Sequence, residues 1–313
     1  MKTTPLKKCA QAATVGRSAC DVRAWLQLVR PPNLFTVPGD PLAGFFLAGG
    51  GAWWPAACAA LAAIFLYMGG LLGNDVADFA EDRRDRPSRP LPSGRVSRGA
   101  AFLASVLCAL IGLLLAFGAG WGALAMACLT QAAIVLYNGW FKHHAIPGAL
   151  MMGACRGFSL LIGAAAAHPH VWNMTVVTVA AAGVTLYIAA VTWIADRETA
   201  EVRIGPRRWL PLLAWLATAA WLAVRHTATV SIGPFLLPAI LAVGWTAKIG
   251  SRLSGIPPRA FLGASIGGLI RGLLLIQAAC AAFGGTTAGL TTAVALLALW
   301  PFSVRTARWF YAT

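Results

Sequence analysis

The stretch "LAAIFLYMGGLLGNDVADFAEDRRDRPSRPLPSG", residues 61–94, changes character halfway along. Its first half continues an apolar run that begins near residue 53 and ends near residue 73. Its second half gathers five of the chain's ten carboxylates, Asp75, Asp78, Glu81, Asp82 and Asp85, and follows them with arginines and prolines. An uninterrupted apolar run of about 20 residues is what a helix needs to cross a bilayer. How often such runs recur therefore decides the fold.

They recur throughout. Ten apolar segments are legible, near 33–51, 53–73, 100–118, 121–138, 149–167, 171–195, 209–225, 229–247, 260–283 and 286–304. Of the 313 residues 58% are hydrophobic and 11% charged, against about 25% charged in a soluble domain. So much apolar surface has no soluble solution, and only helices satisfy their backbone over runs of this length. The expected fold is all-α: a polytopic membrane bundle over residues 31–313, preceded by a basic tail over 1–30 that holds no cleavable secretory signal. The C-terminal hairpin is either two spans or a span with a re-entrant piece. The seven cysteines are scattered, with no CxxC pair, and read as small packing residues.

Charge sets the orientation. Twenty-two of the 25 Lys and Arg residues fall on the side of the N-terminus when loops are numbered alternately. Arg156 and Arg271 lie inside spans, and Arg225 alone marks the opposite side. Positive loops are retained in the cytoplasm, so both termini and the long loops are expected there. The net charge of +15 needs no nucleic acid to explain it; a basic inner face attracts anionic lipid head groups instead.

The acids follow a pattern too. Besides residues 75–85 there is a second cluster, Asp196, Glu198 and Glu201, on the same side, and only Asp21 and Asp40 fall elsewhere. Taken as one helix from Asn74, the five acids of the first cluster share an arc of roughly 120°. Like charges that close repel by about 3 kcal/mol per pair, so cations must compensate. Arg83, Arg84 and Arg86 are one source and a divalent metal is the other. Hard carboxylate oxygens on one face suit Mg²⁺, which keeps positions for water or phosphate oxygens; the implied ligand is a diphosphate. Arg156, costly inside a span, reads as an inward-facing contact to it. Asp40 either serves the acceptor or caps a helix broken by Pro38 and Pro41.

The motifs "NDVADFAED" (74–82) and "RPLPSG" (89–94), with "RPPNLFTVPGD" (30–40), "YNGWFK" (137–142) and "GACRGFSLLIGA" (153–164), are similar to the UbiA superfamily of intramembrane prenyltransferases. The "TVPGD" variant resembles a bacterial branch that includes the EboC-like proteins. The resemblance implies nine spans, against the ten runs read here, around a cavity capped by cytoplasmic loops. It also implies a bacterial inner-membrane enzyme that uses Mg²⁺ to ionise a prenyl diphosphate and passes the prenyl group to a lipophilic, commonly aromatic, acceptor. Asp75, Asp78, Asp82 and Asp196 become the catalytic set. With Glu198 and Glu201 they are also the metal ligands. Asn33, Asn74, Arg89, Lys142 and Arg156 become the diphosphate contacts. The second acidic signature departs from the family: Asp196 and Glu201 are five apart, and a regular helix cannot aim all three acids at one ion. The competing function is a non-catalytic, transport or lipid-handling protein that keeps the fold and a diphosphate-like site.

Overall fold

A computed structural model describes residues 21–168, 174–196, 203–226 and 231–310. Every regular element among them is helical: α1 (Val22–Val29), α2 (Pro31–Leu34), α3 (Gly39–Leu47), α4 (Trp53–Ala77), α5 (Phe79–Asp85), α6 (Arg98–Ala119), α7 (Trp121–Gly139), α8 (Ala145–Ala167), α9 (Thr175–Ala195), α10 (Leu210–Arg225), α11 (Gly233–Arg252), α12 (Arg259–Ala282) and α13 (Thr287–Phe310). Eight are long and apolar enough to cross a bilayer. Two further apolar helices fall short: α10 has 16 residues and α3 has nine. The expected nine to ten spans are thus ten apolar helical elements. The C-terminal hairpin is two full-length helices, not a re-entrant piece.

The first apolar segment is not one helix. Pro31 and Pro32 open α2, Pro38 stands at the start of α3, and the chain turns between them. A break in apolar surroundings leaves carbonyls without helical partners. Here the Thr36 carbonyl accepts from Arg156 Nη2 at 2.9 Å and from Gln277 Nε2 at 2.8 Å. Side chains of α8 and α12 thus replace the missing backbone bonds.

α3 therefore lies between α8 and α12, with α4, α9 and α13 also against it. The approach to α8 is backbone on backbone. A Cβ added at Gly163 would stand 1.7 Å from the Pro41 carbonyl oxygen, and one at Gly44 would stand 2.0 Å from that of Leu160. α4 pairs with α6 in a similar way: Ser105 Oγ donates to the Gly69 carbonyl at 2.7 Å. Small residues permit such contacts where lipid gives no hydrophobic drive to associate.

The acidic stretch departs from the expected single helix. α4 ends at Ala77, Asp78 caps it, and α5 starts at Phe79. Electrostatics favours the break. It places Glu81 and Asp82 in the first turn of a new helix and Arg83 and Arg84 in its last, each complementing the helix dipole. Continued as one helix, the same acids would have crowded a C-terminus.

The Gly163 contact is testable. Gly163→Ala should lower the apparent melting temperature in detergent, by the equivalent of about 3 kcal/mol, because two backbones must separate. Gly244→Ala, in open space on α11, should leave it unchanged or raise it.

Candidate active site

Of the five clustered acids, Asp75 and Asp82 are buried, Asp78 is half-buried, and Glu81 and Asp85 are exposed. None of the three inner acids takes the arginines next to it in sequence. Asp75 Oδ1 lies 3.3 Å from Arg30 Nη2 and 3.9 Å from Arg89 Nη1. Asp82 Oδ2 is 2.7 Å from the same Arg89 nitrogen. Asp78 pairs with Lys142 through Oδ1, while its Oδ2 accepts from Asn74 Nδ2 at 2.8 Å. Three carboxylates face three cations, brought from α1's end, the segment after α5, and the turn after α7.

The surroundings fix these cations. Ala24 and Leu28 of α1 bury themselves with Leu72 and Val76 of α4 and with Leu91 and Val96, beside Arg89. Arg95 reinforces this by donating to Gln27 at 2.9 Å. Arg30 itself has φ 52°, the one non-glycine residue with positive φ among the described residues. An L-residue rarely holds that conformation without surrounding support. "YNGWFK" divides its labour: Tyr137 and Asn138 line a cavity, and Lys142 reaches Asp78.

Deeper in the bundle is a second polar cluster. Asp40 is fully buried and Arg156 is 9% exposed; Arg156 Nε lies 2.7 Å from Asp40 Oδ2, and Gln277 Nε2 donates to Asp40 Oδ1 at 2.6 Å. Asp40 makes no capping bond to α3. Arg156 does face inward, as its cost inside a span implied, but Asp40 and Thr36 already engage its guanidinium.

Two hollows meet at this end. A cavity of about 180 Å³ has a mostly apolar wall, including Val37, Leu66, Ile134 and Met152, and a polar fringe of Arg30, Asn74 and Arg156. A wider one of about 1310 Å³ is lined by Arg30, Asn33, Arg86, Arg89, Asp196, Arg252 and Arg271 together with a small-residue face of α12. Arg30 borders both. Asp196, at the end of α9, opens onto the same hollow as Arg30 and Arg89, the partners of Asp75 and Asp82, while those two carboxylates do not themselves line it. Glu198 and Glu201 lie outside the described residues.

Sequence reading missed Arg30 and Gln277. Arg30 was counted with the basic tail, although it immediately precedes the Pro-Pro pair that opens the first apolar segment. Gln277 is a polar amide in an apolar run, the signal that had singled out Arg156 and Asp40.

The combination defines a class: an integral membrane helix bundle with a carboxylate-and-cation cluster at one end, whose Arg30 borders an apolar cavity. The chain belongs to the UbiA prenyltransferase family, whose model matches residues 41–255. It is 34% identical over 154 residues to a digeranylgeranylglyceryl phosphate synthase of Methanopyrus kandleri, covering 48% of this chain and 57% of that one. To the synthase of the same name from Natronomonas pharaonis it is 29% identical over 204 residues, covering 62% and 73%. The chain thus spans little more than half the length of the first of these relatives. Among solved structures, a UbiA homologue from Aeropyrum pernix superposes with a TM-score of 0.61 at 21% identity, covering 79% of this chain and 96% of that one. One from Archaeoglobus fulgidus, bound to DMAPP and Mg²⁺, gives 0.58 at 14%, covering 80% and 98%. At such identities these likenesses establish the fold.

Asp40→Ala would leave Arg156 buried without its counter-charge. The expected cost is about 3–5 kcal/mol, read as a lowered melting temperature in detergent. The double variant Asp40→Ala/Arg156→Met, which removes both charges, should recover most of that loss.

Proposed function

We propose that this protein transfers a prenyl group from its diphosphate to a lipophilic acceptor inside the bilayer, with Mg²⁺ as cofactor. The observation that carries the reading is Arg30 standing between an apolar cavity and an arginine-rich hollow. A prenyl diphosphate has the same two-part character, a hydrocarbon tail and a polyanionic head. Family membership and the Archaeoglobus fulgidus homologue bound to DMAPP and Mg²⁺ support it.

The residues fit Mg²⁺ by donor chemistry. Asp75, Asp78 and Asp82 offer hard carboxylate oxygens, and two of them pair with Arg30 and Arg89, which line the hollow. Asn33 Oδ1, on a residue lining that hollow, is buried without a hydrogen-bond partner among the described residues. In this reading Asp75, Asp78 and Asp82 would hold one ion, with Asn74 orienting Asp78. Glu198 and Glu201, with or without Asp196, would hold a second. When bound, the metal supplies positive charge against the departing diphosphate.

The chain's own cations do the rest. Arg30, Arg89 and Lys142 engage the outer oxygens of the diphosphate as the C–O bond breaks and the electron pair leaves with it. The apolar wall holds the tail and keeps water from the electron-poor carbon. The acceptor forms the new bond to that carbon and gives up a proton. Arg156, tied to Asp40, supports the cavity wall, and its assigned contact with the head passes to Arg30. The relatives' name points to a prenylated glyceryl phosphate as the first acceptor to try. The charge asymmetry of the loops supports a cytoplasmic head site.

Purified protein in liposomes, given Mg²⁺, labelled geranylgeranyl diphosphate and an acceptor panel of glyceryl phosphate ethers and hydroxylated aromatics, should release diphosphate and form a prenylated lipid. Asp75→Ala/Asp78→Ala should lower that rate by about two to three orders of magnitude, the scale of losing electrostatic stabilisation, while still inserting into membranes. Head-group binding with no release across the whole panel would support the non-catalytic alternative.

A further inference from the structure

We infer that the metal site of this protein is assembled by partner exchange: Arg30 and Arg89 occupy Asp75 and Asp82 until a diphosphate draws them off, so metal and anion bind together and the metal alone binds weakly. This rests on the prenyl diphosphate reading and adds an order of events to it.

Each inner carboxylate already has a cation. Asp75 has Arg30 and the more distant Arg89, Asp82 has Arg89 and Asp78 has Lys142. Three negative charges meet three positive ones, so an arriving divalent ion finds a neutral cluster and must compete for its oxygens. The geometry agrees: among the described residues no three acidic, histidine or cysteine side chains are gathered as a ready metal-binding group. The carboxylates have the right chemistry for the metal, and their own cations compete for the oxygens it would need.

Arg30 and Arg89 are placed to leave, whereas Lys142, 11% exposed beside an Asp78 that is 21% exposed, lines neither hollow. Arg30 and Arg89 line the wide hollow, with side chains 40% and 32% exposed. Their carboxylate partners are far more buried, at 8% and 7%. A guanidinium that turns toward a diphosphate therefore stays hydrated and paired. The carboxylate it leaves behind is buried and needs a new counter-charge, because a buried lone charge is costly. Mg²⁺ supplies it. The diphosphate pays out cations on one side and creates metal sites on the other, so each ligand raises the affinity for its partner reciprocally.

This makes an unusual demand: removing a cation from the site should strengthen metal binding. Equilibrium dialysis of the full chain in detergent against Mn²⁺, with and without labelled inorganic pyrophosphate, reads it directly. Wild type should bind Mn²⁺ about tenfold more tightly with pyrophosphate than without. Without the anion, Arg30→Gln and Arg89→Gln should each bind Mn²⁺ about tenfold more tightly than wild type. Each variant is a separate test, so one that misfolds on gel filtration leaves the other to decide. Wild-type Mn²⁺ binding that is equally tight without pyrophosphate, or a folded variant that binds no more tightly than wild type, overturns the inference. Wild type that takes up neither ligand when both are present removes the prenyl diphosphate reading itself, and the exchange with it.

Discussion

The rest of the structure depends on how the carbonyl of Thr36 is satisfied. An unpaired backbone carbonyl in an apolar interior costs about 1–3 kcal/mol, and a break in the first apolar segment exposes one. Arg156 and Gln277 reach it from α8 and α12, and both also hold Asp40. The four groups form one linked cluster, in which Gln277 Oε1 alone has neither a hydrogen-bond nor an ion-pair partner among the described residues. They allow α2 and α3 to meet at an angle, which directs Asn33 and Arg30 toward the hollow and lets α3 press its backbone against α8. Without that cluster the segment would have to straighten into an ordinary span, and the head site would lose its N-terminal side.

The acidic end of the bundle follows a related logic on a wetter surface. Its carboxylates are too close together and too buried to stand alone, and the chain meets each with a cation from a different element. The arginines nearest in sequence, Arg83 and Arg84, stay exposed at the end of α5, where they answer the helix dipole. Neighbours in sequence thus settle local helix electrostatics, while distant ones settle the site.

That division explains how much was legible beforehand. Apolar runs reveal helices because a span's length is dictated by bilayer thickness, and "RPLPSG" follows the acids whose cation Arg89 it supplies. Arg89, Asn74 and Lys142 were singled out because motifs carried them, and the structure sets each against an acid of the first cluster. The partnership of Arg30 with Asp75 joins residues 45 positions apart, and that of Gln277 with Asp40 joins residues 237 apart. No periodicity encodes such pairings. The helical wheel for residues 75–85 assumed an unbroken helix, and the C-cap at Asp78 removed two of its five acids from the interior. Asp40 was left open between two roles because its partner lies on a helix almost at the other end of the chain.

α1 has a consequence for how this molecule can be cut. The family match begins at residue 41, and a boundary drawn from hydropathy alone falls near the first span. Yet Ala24 and Leu28 are buried in the bundle, and the residue that ends this short helix borders both hollows. A shortened gene product starting at the first span would still lodge in lipid and keep its long helices. It would have lost the hinge post on which its polar doorway hangs.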